Sequence, residues 1–239
     1  MPPMISLDKN VDLSEYVLLI PSVSVGNVPQ LTIDLLISTY SFKKISTIWH
    51  PAIVSSVGGD PYQSDRSEIC TACELHINEQ LKVAAIQIRS TLEFKLAQKF
   101  FIDLKEALSP LKLKNIVIVS SAFDYELRNF NNEKFYYSSN EKIDEIMETN
   151  GIKILEPNSN GRYCINGAGF ATKLYEVLST QFRCTLLVKY VSEGDNRPDA
   201  FTTLKKLFAI SGLEEKTLNV IFPSSWDFVF GGPPPVGIY

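Results

Sequence analysis

Three places in the 239-residue sequence carry residue types and spacings that chemistry uses. Cys70-Thr71-Ala72-Cys73 followed by His76 offers soft ligands for a metal ion. A structural zinc takes four ligands, and no second Cys pair or His pair stands at a matching spacing; His50 is the one other histidine. The expectation is no metal, with both thiols at the edge of a strand or loop. Gly167-Ala168-Gly169 opens a predicted helix, and glycines there let backbone N–H groups approach an anion, with Thr172 and Lys173 adding a hydroxyl and a charge. The dinucleotide fingerprint is broken because Thr172 stands where its third glycine belongs, and the Walker pattern is absent. A tight turn is the plainer reading. Ser192-Glu193-Gly194-Asp195-Asn196 lies beyond the carboxyl end of a predicted strand, where α/β folds place ligands. Glu193 and Asp195 have the groups of a general acid and base. The plainer reading is that Asp195 or Asn196 caps the next helix while Gly194 takes a positive φ. No His or Lys accompanies the acidic pair in this loop, and no Gly-x-Ser-x-Gly elbow occurs anywhere. No catalytic residue and no cofactor are expected.

The elements around these places alternate. Residues 16–20 form a continuous apolar run, as a strand covered on both faces should. A helix begins near Pro29, which suits a first turn because its missing N–H would have lacked a partner anyway. Leu31, Ile33, Leu35, Leu36 and Ile37 supply its buried face. Strands are predicted over 45–49 and 83–89, with 58–68 between them as a polar loop. A helix over 94–108 places Ala97, Phe101, Leu104 and Leu108 on one stripe, with Lys99, Asp103 and Lys105 outside it. Residues 116–120 are another β-branched strand. Residues 123–162 break the rhythm with Asn, Ser, Glu and Lys. They read as an excursion from the sheet holding one short helix over 140–149, stopped by Gly151. A helix over 170–182, a strand over 185–191 and a helix over 198–210 resume the pattern, and 218–222 and 228–230 are candidate late strands. This succession predicts an α/β fold: a single domain over 1–230, with a mostly parallel sheet and helices on both faces, followed by a tail over 231–239.

Composition narrows the function classes. Hydrophobic residues make up 45% and charged residues 21%, ordinary for a globular chain. A net charge of −4 and no basic stripe argue against a nucleic-acid binder. The longest apolar stretches are strand-sized, far short of the roughly 20 residues of a membrane helix. The first ten residues show neither a signal peptide's apolar core nor Arg-rich amphipathic character. The expected location is therefore cytoplasmic and nuclear, with Cys70, Cys73, Cys164 and Cys184 as reduced thiols.

Several segments together resemble one family. Residues 21–27 continuing into Val28-Pro29-Gln30-Leu31, Val191 to Asn196 continuing into Pro198-Asp199-Ala200, and Pro223-Ser224-Ser225-Trp226 leading to Phe230-Gly231 resemble the proteasome assembly chaperone 2 family. Gly167 to Gly169 with Thr172, Lys173, Leu174 and Tyr175 is similar to a further family segment. The matches keep their order and span nearly the whole chain, and 123–162 carries none. The resemblance implies a fold related to nucleoside phosphorylases without their catalytic residues. It implies a heterodimer with proteasome assembly chaperone 1, and binding to 20S proteasome alpha-type subunits, among them alpha 5 to alpha 7, to promote alpha-ring assembly. The alternative is a phosphorylase-like nucleoside- or phosphate-binding enzyme.

The tail carries the expected partner-binding residues, Ile238 and Tyr239. Gly231-Gly232 reads as a hinge and Pro233-Pro234-Pro235 as an extended polyproline spacer at about 3.1 Å per residue. The resemblance implies a tail ending in a hydrophobic residue, a tyrosine and one further residue, inserted between alpha subunits. Ile238 and Tyr239 match the first two and no residue follows, so the carboxylate sits one position early.

Overall fold

Val17, Leu18, Leu19 and Ile20 are all buried because the strand they form is covered on both sides. The computed structural model describes residues 3–7, 11–63, 68–127, 134–211 and 219–228. In chain order its elements are β1 (Val17–Pro21), α1 (Val28–Thr39), β2 (Lys43–Thr47), β3 (Val57–Gly59), β4 (Ile69–Thr71), β5 (Cys73–Asn78), β6 (Val83–Ile88), α2 (Phe94–Leu108), β7 (Asn115–Phe123), β8 (Phe135–Ser139), α3 (Asp144–Thr149), β9 (Lys153–Ile154), α4 (Ala171–Leu178), β10 (Cys184–Val191) and α5 (Arg197–Ser211). Eight strands make one sheet in the order β2-β5-β6-β1-β7-β10-β8-β9, and β3 and β4 form a separate hairpin. The four central strands, β6, β1, β7 and β10, run parallel, while β5 pairs antiparallel with β6 and β8 antiparallel with β10.

Alternation along each strand feeds two apolar layers. Leu18 and Ile20 join Ile116, Ile118, Leu186 and Val188 beneath α2 and α4, through Phe101, Leu104 and Leu174. Val17 and Leu19 join Val117, Val119 and Leu187 beneath α1 and α5, through Ile33, Leu36, Leu204 and Phe208. Period-two geometry sends neighbours to opposite faces, so a continuous run serves both layers at once. Helices therefore cover both faces of one mostly parallel sheet, as predicted. Among the described residues no helix is long and apolar enough to cross a membrane.

Several expectations need correction. Residues 123–162 are not an excursion: β8 and β9 complete one margin of the sheet, with Tyr137 and Met147 buried against the α1–α5 layer. The short helix starts at Asp144 rather than 140, because Asn140 instead binds the α4–β10 turn, donating to Ser179 O and Phe182 O. α4 ends at Leu178, before a turn in which Phe182 N–H donates to Leu178 O. β2 spans Lys43–Thr47 and leaves Trp49 exposed. Within the stretch read as a polar loop, β3 ends at Gly59, and Gly58 and Gly59 pair with Cys70 and Ile69 of β4. Of the candidate late strands, 219–222 has no regular structure, and a 3-10 turn covers Ser224–Phe228. Residues 218, 229 and 230, and the whole tail with Ile238 and Tyr239, lie outside the described residues.

Candidate functional site

The chain moves from β1 to β6 on one side, then from β6 to β7 on the other. Such a reversal opens a crevice at the carboxyl ends of the two strands, the usual ligand position in open α/β sheets. Three of the segments predicted to matter meet there: 22–27 after β1, 167–169 before α4, and 192–196 after β10.

They meet by closing on one another. Ser22 Oγ donates to Ala168 O at 2.9 Å and accepts from Phe170 N–H at 3.1 Å. Ser120 Oγ donates to the same carbonyl at 3.0 Å, and Val25 N–H donates to Gly167 O at 2.9 Å. Ser121 Oγ donates to Val25 O at 2.5 Å and lies 2.8 Å from Ser24 Oγ. At Gly169, φ is +61° and a Cβ would sit 1.9 Å from Val23 O. Gly26 (φ +67°) lies under Asn196, whose Oδ1 would be 2.5 Å from its Cβ. Asn196 Nδ2 is held by Ser192 O at 2.9 Å and Asp199 Oδ2 at 3.1 Å. The glycines therefore permit backbone to approach backbone. The Phe170 amide at the start of α4, which an anion would have used, is occupied by Ser22.

The acidic loop behaves as a cap. Asp195 is clasped by Arg197, Nε at 2.9 Å and Nη2 at 2.8 Å, and its Oδ1 also accepts the Arg197 backbone N–H. These bonds lower its carboxyl pKa, the opposite of what a general acid needs. Glu193 is exposed, and Gly194 takes φ +143°. Ser192 Oγ donates to Asp124 Oδ2 at 2.6 Å, which also accepts from Lys134 at 2.9 Å, and both hold Asp124 low.

Cys70 lies on β4, and the pleat of β5 turns Cys73 away from His76. Cys73 joins Leu75 and Ile77 under the α2 layer. Glu74 and His76 take the other face, by the alternation of the strand. Cys70 stands near Glu74 and accepts from Arg89 Nε at 3.1 Å. Cys73 and His76 thus cannot share an ion, and among the described residues no group of three His, Cys, Asp or Glu could hold a metal. All four cysteines are free thiols.

A polar cluster beside Cys70 was invisible in the sequence. Asp34 on α1 accepts from Arg89 Nη2 at 2.6 Å, Arg89 Nη1 at 3.1 Å, Tyr62 Oη at 2.9 Å and Gln87 Nε2 at 2.8 Å. Glu74 accepts from Lys44 Nζ at 2.5 Å and Thr71 N–H at 2.8 Å, with His76 Nε2 3.4 Å away. The two groups border a cleft of about 550 Å³ lined by Phe42, Lys44, Tyr62, Ile69, Glu74 and His76. These residues are scattered from 34 to 89 with no common spacing, so no local signal joins them. Pro223 and Trp226 are buried as well, and Ser225 N–H donates to Pro61 O at 3.0 Å beside this cluster.

The geometry is that of a sealed crevice and a partnered ionic cluster. The chain is 31% identical to proteasome assembly chaperone 2 of Bos taurus over 258 residues, covering 95% of the chain and 97% of that protein. It is 30% identical to proteasome assembly chaperone 2 of Mus musculus over 251 residues, covering 94% and 95%. Among solved structures, PbaA of Pyrococcus furiosus, an archaeal homologue of proteasome-assembly chaperone, superposes with a TM-score of 0.68 at 12% identity, covering 89% of this chain and 88% of that one. PbaB of the same organism, an archaeal proteasome activator, gives 0.66 at 12% identity, covering 89% and 90%. At that identity the two structures speak for the fold alone. A scan against models of protein families finds no match.

Proposed function

The chain belongs to the proteasome assembly chaperone 2 family, and from that premise we propose that it is a non-enzymatic chaperone of 20S proteasome assembly, working as a heterodimer with proteasome assembly chaperone 1. The heterodimer engages alpha-type subunits, among them alpha 5 to alpha 7, and promotes formation of the alpha ring in the cytoplasm and nucleus. The observation that carries this reading is the match to named relatives along at least 94% of the chain. The sealed crevice supports it: side chains and backbone of the protein occupy the place where a phosphorylase-like enzyme of this topology would seat its substrate. Ile238 and Tyr239 are the proposed tail contacts with the ring. An aromatic anchor in a desolvated pocket contributes about 2 kcal/mol or more, and tethering to a body already on the ring raises its effective concentration.

The test is affinity purification of the full chain with identification of what accompanies it. Alpha-type subunits together with a second chaperone are the expected companions. Recovery of neither, or turnover of a nucleoside that is lost in Glu193→Gln and Asp195→Asn, overturns the proposal. Deleting Ile238 and Tyr239 should speed release of the heterodimer from alpha-ring intermediates without abolishing binding.

A further inference from the structure

Trp49, Val54, Val57, Ile69 and Phe94 are large apolar side chains left in solvent. Backbone bonds stitch the segments that carry them into one stretch of surface. Ile53 and Leu92 form an antiparallel bridge, flanked by Glu93 N–H donating to Ala52 O at 2.7 Å and Val54 N–H donating to Thr91 O at 3.2 Å. Ser56 Oγ lies 2.9 Å from Ser90 Oγ, and Val57 then enters the hairpin whose second strand begins at Ile69. Phe94, at the start of α2, thus stands at one end of this stretch and Ile69 at the other. Residues 45–59 contain no Asp, Glu, Lys or Arg, yet all of 54–59 are exposed. The charged residues that adjoin it, Glu68 beside Ile69 and Glu93 and Lys95 beside Phe94, stand at its two ends.

Phe94 is 91% exposed and Trp49 54%. An aromatic side chain has roughly 150–250 Å² to bury, so these two alone offer on the order of 300 Å². A monomer seldom leaves more than a few hundred Å² of apolar surface in one place. A stable interface takes about 800 Å² from each partner, charge-poor at its centre and polar at its rim. This stretch has the composition of such a centre. Its lack of charge also states what fits it: an equally uncharged apolar face, because a charged one would lose its water here without gaining a counter-charge. A chaperone releases its client, and contacts that are made and broken are more polar than permanent ones. The occupant suited to this surface is therefore the companion that stays. We propose that the surface from Phe94 through Val54 and Val57 to Ile69 is where this chain binds the second chaperone of the heterodimer, against an uncharged apolar face of that partner. The identity of the occupant rests on the heterodimer reading above.

The test is capture of co-expressed proteasome assembly chaperone 1 by the tagged full chain. Phe94→Glu and Val57→Lys change exposed side chains at the two ends of the surface, so both variants should melt like the unmodified chain, yet each should lower capture about tenfold or more. Ile154→Glu, equally exposed but on β9 at the far margin of the sheet, should capture in full. Capture by the unmodified chain should survive about 1 M salt, where charges are screened within about 3 Å. With 5-fluorotryptophan in this chain alone, the unlabelled partner should shift the Trp49 fluorine resonance and leave that of buried Trp226 in place. Full capture by either end variant, loss of capture in Ile154→Glu, dissociation by salt or an unmoved Trp49 resonance overturns the proposal and leaves the heterodimer standing. End variants that break up self-associated chains yet capture the partner in full place a second copy on this face, which also overturns it. An unmodified chain that captures no second chaperone instead removes the heterodimer itself, and this surface assignment with it.

Discussion

Gly169 shows how little room the crevice leaves for a ligand. Its φ of +61° disfavours any L side chain, and a Cβ would press to 1.9 Å on Val23 O, a backbone atom that cannot rotate aside. Gly161 has a similar φ of +71° with nothing within 4 Å of its Cβ position. Gly161→Ala should therefore lose about 1 kcal/mol from the backbone conformation alone, and Gly169→Ala clearly more. Chemical denaturation of the two variants compares them, and equal losses would mean that the crevice yields easily. Glu74 supplies a second test at this scale. Burial pushes its pKa up, but His76, Lys44 and the Thr71 N–H outweigh that and bring it from 4.5 to about 2. A depressed carboxylate adds stability above its unfolded pKa and loses it as pH falls through the folded one. The contribution is on the order of 3 kcal/mol, complete above pH 4.5 and lost on descending towards pH 2. Glu74→Gln should flatten that part of the stability–pH curve and destabilise the protein at neutral pH, where Lys44 keeps a charge without its partner. An unaltered curve would remove Glu74 from the account.

At the scale of elements, one ion pair fixes α5 to the sheet. Lys189 on β10 is buried and reaches Asp199 Oδ1 at 2.8 Å, Asp199 O at 3.1 Å and the Thr202 hydroxyl. Asp199→Ala should cost about 2–3 kcal/mol, below the 3–5 of a fully buried pair because Asp199 is 32% exposed. Lys189→Met, which removes the charge and keeps the aliphatic volume, should cost less. Urea melts of both variants give the comparison; the reverse order would show that the pair is dispensable and packing decides. Lys189 also marks the limit of what sequence patterning can see. The strand over 185–191 was legible in its hydrophobic run despite that lysine, and α2 was legible to both ends because its apolar stripe has helical period and its polar residues fall outside it. β5 was not, because Glu74 and His76 interrupt the apolar signal, and only their tertiary partners make them tolerable inside a sheet. β8 was hidden for a related reason: Phe135-Tyr136-Tyr137 is a short strand signal flanked by Asn, Glu and Ser. The glycines of the crevice were visible as a turn, but local spacing could not show that Val23 and Ser22 fill the place of an anion.

For the molecule as a whole, stability should grade from the middle of the sheet outward. β1 and β7 are paired on both edges and covered on both faces, and their amides open only with the global core. β3 and β4 stand apart as three-residue strands, a size that is marginal without something to pack against. Val57 is 74% exposed and Ile69 62% exposed, on the same face of that hairpin by their register, and Gly58 and Gly59 have no neighbour at their Cβ positions. Hydrogen exchange of the isolated chain should therefore show slow amides over Val17–Pro21 and Asn115–Phe123, and fast ones over Val57–Gly59 and Ile69–Thr71. β2 should exchange at an intermediate rate, since its ladder runs along one edge with β5, while among the described residues the other side meets the 4–6 segment through the Ile5–Ile48 bridge and the bonds from Trp49 N–H to Met4 O and Ser46 Oγ to Ser6 O. Uniform protection, with the hairpin as slow as β7, would contradict this gradient. The same measurement on the proposed heterodimer adds a directional test. A partner that covers a surface slows exchange there and leaves the already slow core unchanged, so any new protection confined to a low-stability segment marks the face that the partner uses. The hairpin has most to gain from such contact, because Val57 and Ile69 on its apolar face are exposed among the described residues.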